Sequence, residues 1–213
     1  MAKREKNTKQ RIMSEALSLF ASKGYENVTV GEIASAVGIK APSLYKHYKS
    51  KQHIFNAILV EMKAGYERQA ASMRMDGVDA NKDEALFLDS SEDDIVKRSI
   101  GLFLYFLHDE NVCRFRKMLS IERYNNRELA TQYAWQNVGF PISYQSAVFG
   151  LMIRAGAAIP EHPQIMALQY YAPVYMYITL CDCQPEREAE AIKILEEHFR
   201  QFIRLYSKKG EST

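Results

Sequence analysis

Apolar residues recur at the helical period along almost the whole chain, and no sustained alternation of apolar and polar positions marks a strand. Ile12, Ala16, Leu19 and Phe20 fall at i, i+4, i+7 and i+8, one stripe of a first helix that Gly24 ends. Thr29 and Glu32 have the Thr-x-x-Glu spacing of a capping box, and Val28 is placed to staple onto Ile33. A second helix is therefore expected over Val30 to Val37, stopped by Gly38. Pro42 suits the first position of a short third helix through Tyr48, which Ala41, a poor cap, leaves to be held by packing. Ser50 can cap a long fourth helix with Ile54, Phe55, Ile58, Leu59 and Met62 on its apolar face. From Asp76 to Ser91 the pattern breaks into Asp, Asn, Gly and Ser, which predicts an irregular segment. Further helices are expected over 92–109, 112–124, 127–156 (broken near Gly139–Pro141), 163–182 and 186–207. Residues 100–107 are apolar all round, which predicts a central helix without a solvent face. The fold class is all-α: an N-terminal three-helix head and a helical C-terminal body.

Composition narrows the class. With 47% apolar and 25% charged residues in 213, the chain is neither disordered nor fibrous. The net charge of +2 says little, but its distribution says more. Residues 1–55 hold ten Lys/Arg against four Glu, a net of +6, and the remainder carries −4. A basic head on a mildly acidic body points to a polyanion met by the head alone, nucleic acid first. Three cysteines do not make a secreted disulfide framework. The N-terminus lacks the apolar core of a signal peptide. Two uncharged stretches, Leu129–Ile153 and Gln164–Cys181, are too rich in Gln, Asn, Ser, Gly and Pro to be membrane spans. A cytoplasmic location is expected.

Residues 28–51 carry the chemistry. Two short helices joined by Gly38-Ile39 form a helix-turn-helix, whose second helix can lie along a major groove. Its exposed positions should be Ser43, Lys46 and His47, with Leu44 inward; Lys46 can reach guanine O6 or N7. Tyr45 and Tyr48 offer hydroxyls to phosphates, and Lys40 and Lys49 add flanking charge. Lys51 stands in the first turn of helix four, where the helix dipole disfavours a cation unless an anion binds there.

The run Ala16-Leu17-Ser18-Leu19-Phe20-Ala21-Ser22-Lys23-Gly24-Tyr25, then Thr29-Val30-Gly31-Glu32-Ile33-Ala34, Gly38-Ile39, Ser43-Leu44-Tyr45-Lys46-His47-Tyr48 and Lys51, resembles the DNA-binding domain of the tetracycline-repressor (TetR/AcrR) family over about residues 8–55. The resemblance implies a homodimeric, ligand-responsive transcriptional regulator, usually a repressor. It implies base contacts at Ala41, Pro42, Ser43, Tyr45, Lys46 and His47, and phosphate contacts at Thr29, Tyr48 and Lys51. On it the chain divides into a DNA-binding domain, 1–50, and an effector-binding and dimerisation domain, 51–213.

In the body, Ile192, Leu195, Phe199, Phe202 and Tyr206 recur at alternating spacings of three and four, a seam that needs a partner. The preceding helix or a second subunit can supply it; the resemblance implies that the last two helices pair with those of a second subunit. Aromatic and methionine residues suited to an apolar ligand cavity are Met62, Tyr66, Phe103, Phe106, Met118, Tyr124, Tyr133, Phe149, Met152, Tyr170, Tyr171, Tyr175 and Met176. Pro173 can kink its helix and open space. Few charges point into this region, Arg114, Arg116, Arg123 and Arg154 excepted, so the expected effector is small and mostly apolar. No cofactor is expected, and helix four is the natural lever between effector and DNA. Two alternatives stand beside this: a redox or metal sensor using Cys181 and Cys183, with Cys113 and His108-Asp109-Glu110 in reserve, and an architectural DNA-binding protein without an effector. Gly-x-Ser-x-Gly, phosphate-cradling and His-Glu-x-x-His motifs are absent, so catalysis is not expected.

Overall fold

The computed structural model describes residues 2–208, with side chains from Asn7 onward. Lys3, Arg4 and Lys6, three of the cations counted in the basic head, therefore lie outside the residues whose side chains are described. Among the described residues the fold is all-α, and its one strand-like feature is an isolated bridge between Ala158 and Ser207. The helices are α1 (Ala2–Lys23), α2 (Val30–Val37), α3 (Ala41–Tyr45), α4 (Lys51–Ser72), α5 (Ala80–Asp89), α6 (Glu92–His108), α7 (Glu110–Glu122), α8 (Arg127–Ala134), α9 (Phe140–Arg154), α10 (Pro163–Cys183) and α11 (Glu188–Tyr206). A π-helical turn, Trp135–Gly139, joins α8 to α9.

Contacts divide the chain into two compact units, Met1–Tyr66 with Asp109–Tyr133, and Glu67–His108 with Ala134–Thr213. In the first, Ile12, Ala16 and Phe20 of α1 meet Ile33 and Val37 of α2, Leu44 of α3 and Ile54, Phe55 and Ile58 of α4 in one buried core. The same core takes Phe115, Met118 and Leu119 from α7, far along the chain. Local chemistry fixes the entry to α2. Thr29 Oγ1 accepts from the Glu32 amide at 3.2 Å, and a Glu32 carboxylate oxygen accepts from the Thr29 amide at 2.8 Å, satisfying two otherwise orphaned donors. Gly38, at φ +75°, turns the chain out of α2.

Gly24 is favoured by its backbone and crowded by a neighbour. Its φ of +84° is left-handed, and a Cβ there would stand 2.5 Å from a carboxylate oxygen of Glu122. That carboxylate is buried and also accepts from the Glu26 amide at 3.4 Å.

In the second unit α9 packs on α5 and α10, and α11 on α6 and α10. Four sequence expectations change. The segment expected to be irregular from 76 to 91 contains α5, opened by Asp79, whose carboxylate accepts from the Asn81 amide at 3.0 Å. Its Asp83 faces inward, accepting from the amides of Asp76 (2.7 Å) and Gly77 (2.8 Å) and from the Tyr144 hydroxyl (2.6 Å). Helix α3 begins at Ala41 and ends at Tyr45 rather than Tyr48, with Lys46 and His47 in a turn closed by the His47 amide on the Leu44 carbonyl at 2.8 Å. The stretch 100–107 has a half-exposed side: Ile100 and Phe103 are buried, but Leu102, Leu104, Tyr105, Phe106 and Leu107 are half-buried, because α10 and α11 meet α6 from its Ile100–Phe103 side. Finally, Leu195, Phe199 and Phe202 are buried inside this unit with Ala191 and Ile203, so most of the α11 seam is covered within one chain. Helix α10 runs through Pro173 without interruption.

Candidate DNA interface and ligand cavity

The turn from α2 into α3 sets which side chains face outward. Lys40 opens α3 without a side-chain bond, its carbonyl accepting from the Ser43 and Leu44 amides at 2.8 and 3.2 Å. Leu44 is fully buried, which anchors the helix and turns its other faces out. Lys40, Pro42, Lys46 and Lys49 are exposed, Tyr45 is 52% exposed, and Ala41, Ser43 and His47 are half-buried. Among the described residues no carboxylate pairs with Lys40, Lys46 or Lys49, so these three charges stand free for a polyanion. His47 is constrained: it is half-buried, and its Nδ1 is shut off from water without a hydrogen bond.

Three of the expected DNA contacts are engaged inside the protein. Thr29 is exposed, but its hydroxyl is taken up in the α2 cap. Tyr48 is buried; its hydroxyl donates to the Lys9 carbonyl at 3.4 Å, its ring lies edge-on to His53, and burial pushes its pKa up. It is packed in the core of the first unit. Lys51 reaches back from the start of α4, donating to the carbonyls of Tyr25 (2.8 Å) and Glu26 (3.2 Å) with its ammonium 4.4 Å from the Tyr25 ring centre. Those carbonyls supply the negative partner that the sequence leaves to a bound anion. Ser50 caps α4 as expected, its hydroxyl accepting from the His53 amide at 3.0 Å, while His53 Nδ1 accepts from the Lys49 amide at 3.2 Å. This imidazole acceptor for the Lys49 amide has no recognised spacing signal in the sequence.

Electrostatics tighten the α2 cap. The Lys23 ammonium, 2.7 Å from the Glu32 carboxylate, and the Thr29 amide and hydroxyl hold the Glu32 pKa down at about 2. Glu122 and Asp83, both buried, have no periodic signature in the sequence because each serves backbone amides from a helix face expected to be apolar.

The residues expected to bind a ligand scatter. Met118 is fully buried and Met62 partly buried in the core of the first unit. In that unit Tyr66 is half-buried, Tyr124 is 81% exposed, and the Tyr133 hydroxyl accepts from Arg123 at 2.9 Å. In the second unit Phe103 is core, Phe106 and Tyr175 are half-buried, Met176 is exposed, and the Tyr171 hydroxyl donates to the Asn137 carbonyl at 3.0 Å. Phe149, Met152 and Tyr170 line a cavity of about 40 Å³ in the second unit, together with residues of α5, α6, α10 and α11. On α11 the seam residues Ile192 and Tyr206 are half-buried.

The sensor residues do not converge. Cys181 is buried and Cys183 exposed, as two positions apart on a helix require, and Cys113 belongs to the other unit. Burial, with Glu188 and Asp182 nearby, pushes the Cys181 thiol up and away from thiolate. His108 pairs with Glu188 at 2.9 Å, Asp109 caps α7, and Glu110 pairs with Arg114. Among the described residues no three His, Cys, Asp or Glu side chains gather to hold a metal, and no helix is long and apolar enough to cross a membrane.

Comparison with known proteins matches residues 12–58 to the model of bacterial regulatory proteins, tetR family. The biofilm operon icaADBC negative transcriptional regulator IcaR of Staphylococcus epidermidis is 43% identical over 47 residues, which span 22% of this chain and 25% of that protein. A TetR-family transcriptional regulator from Pseudomonas syringae superposes with a TM-score of 0.64 at 17% identity, over 93% of this chain and 96% of that one. SmeT, the repressor of a Stenotrophomonas maltophilia multidrug efflux pump, solved as a complex with triclosan, superposes with a TM-score of 0.65 at 20% identity, over 96% and 93%. At these identities the solved structures share the fold.

Proposed function

The chain belongs, through its N-terminal domain, to the tetR family of bacterial regulatory proteins, and from that premise we propose that it is a homodimeric transcriptional regulator acting as a repressor. It reads a palindromic operator through α3 and releases it when a small, mostly apolar effector binds the C-terminal unit. The observation that carries the reading is the outward face of the α2–turn–α3 segment, where Ser43, Tyr45 and Lys46 stand beside free charges at Lys40 and Lys49. Ser43, Lys46 and the outer nitrogen of His47 are the base readers. The free lysines hold phosphates, while Thr29, Tyr48 and Lys51 shape the surface that does so.

Two-fold pairing follows from the size of α3. Five helical residues make few base contacts, so specific binding needs two heads on half-sites about 34–36 Å apart or a multiple of that. Because α11 turns its main seam inward, the pairing surface is the other side of the last two helices. There Ile165, Leu168 and Met176 of α10, and Ile194 and Leu205 of α11, are large apolar side chains open to solvent in the single chain. A second copy covers them. Effector control then needs only a difference in ligand affinity between dimers that fit the operator and dimers that do not, about 1.4 kcal/mol for a tenfold loss of DNA affinity. Helix α4, continuous from Lys51 to Ser72, carries the change.

Selection of bound fragments from random duplex tests the reading: one inverted-repeat sequence should be enriched. Lys46→Ala should narrow the gap between that sequence and random DNA by about 1–3 kcal/mol. Enrichment of no sequence, with binding that only weakens as salt rises, leaves an architectural protein instead.

A further inference from the structure

The positive charge of the head is concentrated upstream of its core. Residues 2–11 hold five cations, Lys3, Arg4, Lys6, Lys9 and Arg11, against one carboxylate, Glu5, and so supply +4 of the +6 carried by residues 1–55. Helix α1 begins at Ala2, yet its first buried residue among those described is Ile12. These ten residues add about 15 Å of helix before the core starts. Lys3, Lys6 and Lys9 follow one another at spacings of three, where like charges on a helix stand side by side and repel. Packing does not account for such a stretch; a polyanion does, because it removes the repulsion when it binds.

Two hydrogen bonds place this stretch. The Lys9 carbonyl accepts from the Tyr48 hydroxyl at 3.4 Å, and the Arg11 guanidinium donates to the Val37 carbonyl at 2.8 Å. Val37 ends α2 and Tyr48 follows α3, so the third turn of α1 is tied to both ends of the segment that carries α3. Register adds a direction. Spacings of three and four run from Lys6 and Lys9 through Ile12, Ala16 and Phe20, so the side of α1 that enters the core continues upstream as a basic side. Lys9 is exposed, and among the described residues no carboxylate pairs with it. Arg11 and Lys51, by contrast, are engaged by backbone carbonyls. Through Tyr48 the Lys9 position adjoins Lys49 and Lys46, so its charge is continuous with the free lysines beside α3.

We propose that the turns of α1 upstream of Ile12 form a second contact to DNA, a clamp on the phosphate backbone made by Lys9 with Lys6 and Lys3 further along the helix. It holds the duplex without reading bases, and α3 does the reading. The proposal rests on the head being the DNA-binding part, and it adds a site outside the helix-turn-helix.

The test measures binding of the full chain to its selected inverted repeat and to a random duplex of equal length across a range of salt. Lys9→Ala should lower the slope of log affinity against log salt by about one unit per head on both duplexes, and Lys3→Ala, Lys6→Ala and Lys9→Ala combined by about three. The ratio of the two affinities should stay the same, because phosphates carry no sequence. Lys9→Arg should keep the slope of the unsubstituted chain, as should Lys97→Ala, which removes an exposed cation of the second unit. The thermal midpoint without DNA should survive Lys9→Ala, since Tyr48 bonds to the backbone there. An unchanged slope in the combined variant, or a loss confined to the inverted repeat, overturns the proposal. If the chain still selects one sequence in the first case, the regulatory reading stands without the clamp. A slope lowered as described in a chain that selects no sequence supports the clamp and overturns that reading.

Discussion

Lys51 shows how a side chain's surroundings decide its use. At the positive end of α4 a free ammonium is locally unfavourable, yet here it lies against two carbonyls and the face of Tyr25, and so ties the turn after α1 to the start of α4. Lys51→Ala should therefore lower the unfolding free energy of the chain by about 1–3 kcal/mol in the absence of DNA, measured by denaturant titration. An unchanged midpoint would return the ammonium to the phosphate-binding role that the sequence suggests. Gly24 and Glu122 tell the same story from the backbone side. The glycine is legible as a helix stop, but the buried carboxylate that a Cβ there would have to displace comes from a helix about a hundred residues later. Nothing in the local pattern around Glu122 announces it. Tyr48 likewise reads as a surface hydroxyl in a basic run and is instead packed into the core.

Among the elements, α2 was the most legible, because its capping box and glycine stop are local chemistry. The cap also sets a pH response. The folded-state pKa of Glu32 is held at about 2 against an ordinary 4.5, so its contribution to stability is fully present above about 4.5 and is lost as the pH falls toward 2. Acid titration followed by circular dichroism should show Glu32→Gln flattening the fall in stability over that window; identical acid profiles would mean the carboxylate is not held by Lys23 and Thr29. Helix α5 was illegible because its first turns are polar for two different reasons: Asp79 caps the helix and Asp83 reaches inward to amides. The α11 periodicity correctly marks a buried stripe but does not say what buries it, since an internal neighbour and a second subunit impose the same spacing. The cavity was the least legible of all. It is assembled from five helices, and of the residues suited to it by type, Phe149, Met152 and Tyr170 meet there.

At the scale of the whole molecule, the distinction between the two sides of α11 becomes a prediction. Leu168 is 49% and Ile194 42% exposed in the single chain, so Leu168→Glu or Ile194→Glu should change the stability of one subunit by no more than about 0.5 kcal/mol. Either should weaken the proposed dimer at least about tenfold by sedimentation, as expected of a residue at the centre of an interface. Leu195→Glu, inside the core, should unfold the chain instead. Dimers untouched by the exposed-face substitutions would place the pairing surface elsewhere.

A pair of heads held at fixed separation has a sharper consequence, since both copies of α3 must meet the same face of the duplex. The direct measurement is the affinity of the chain for its selected inverted repeat before and after insertion of about five base pairs, half a helical turn, between the half-sites. The two-headed reader loses most of its preference over random DNA on the five-pair insertion and binds the original repeat as two chains. Equal affinity for both spacings, with one chain bound to each half-site independently, contradicts it.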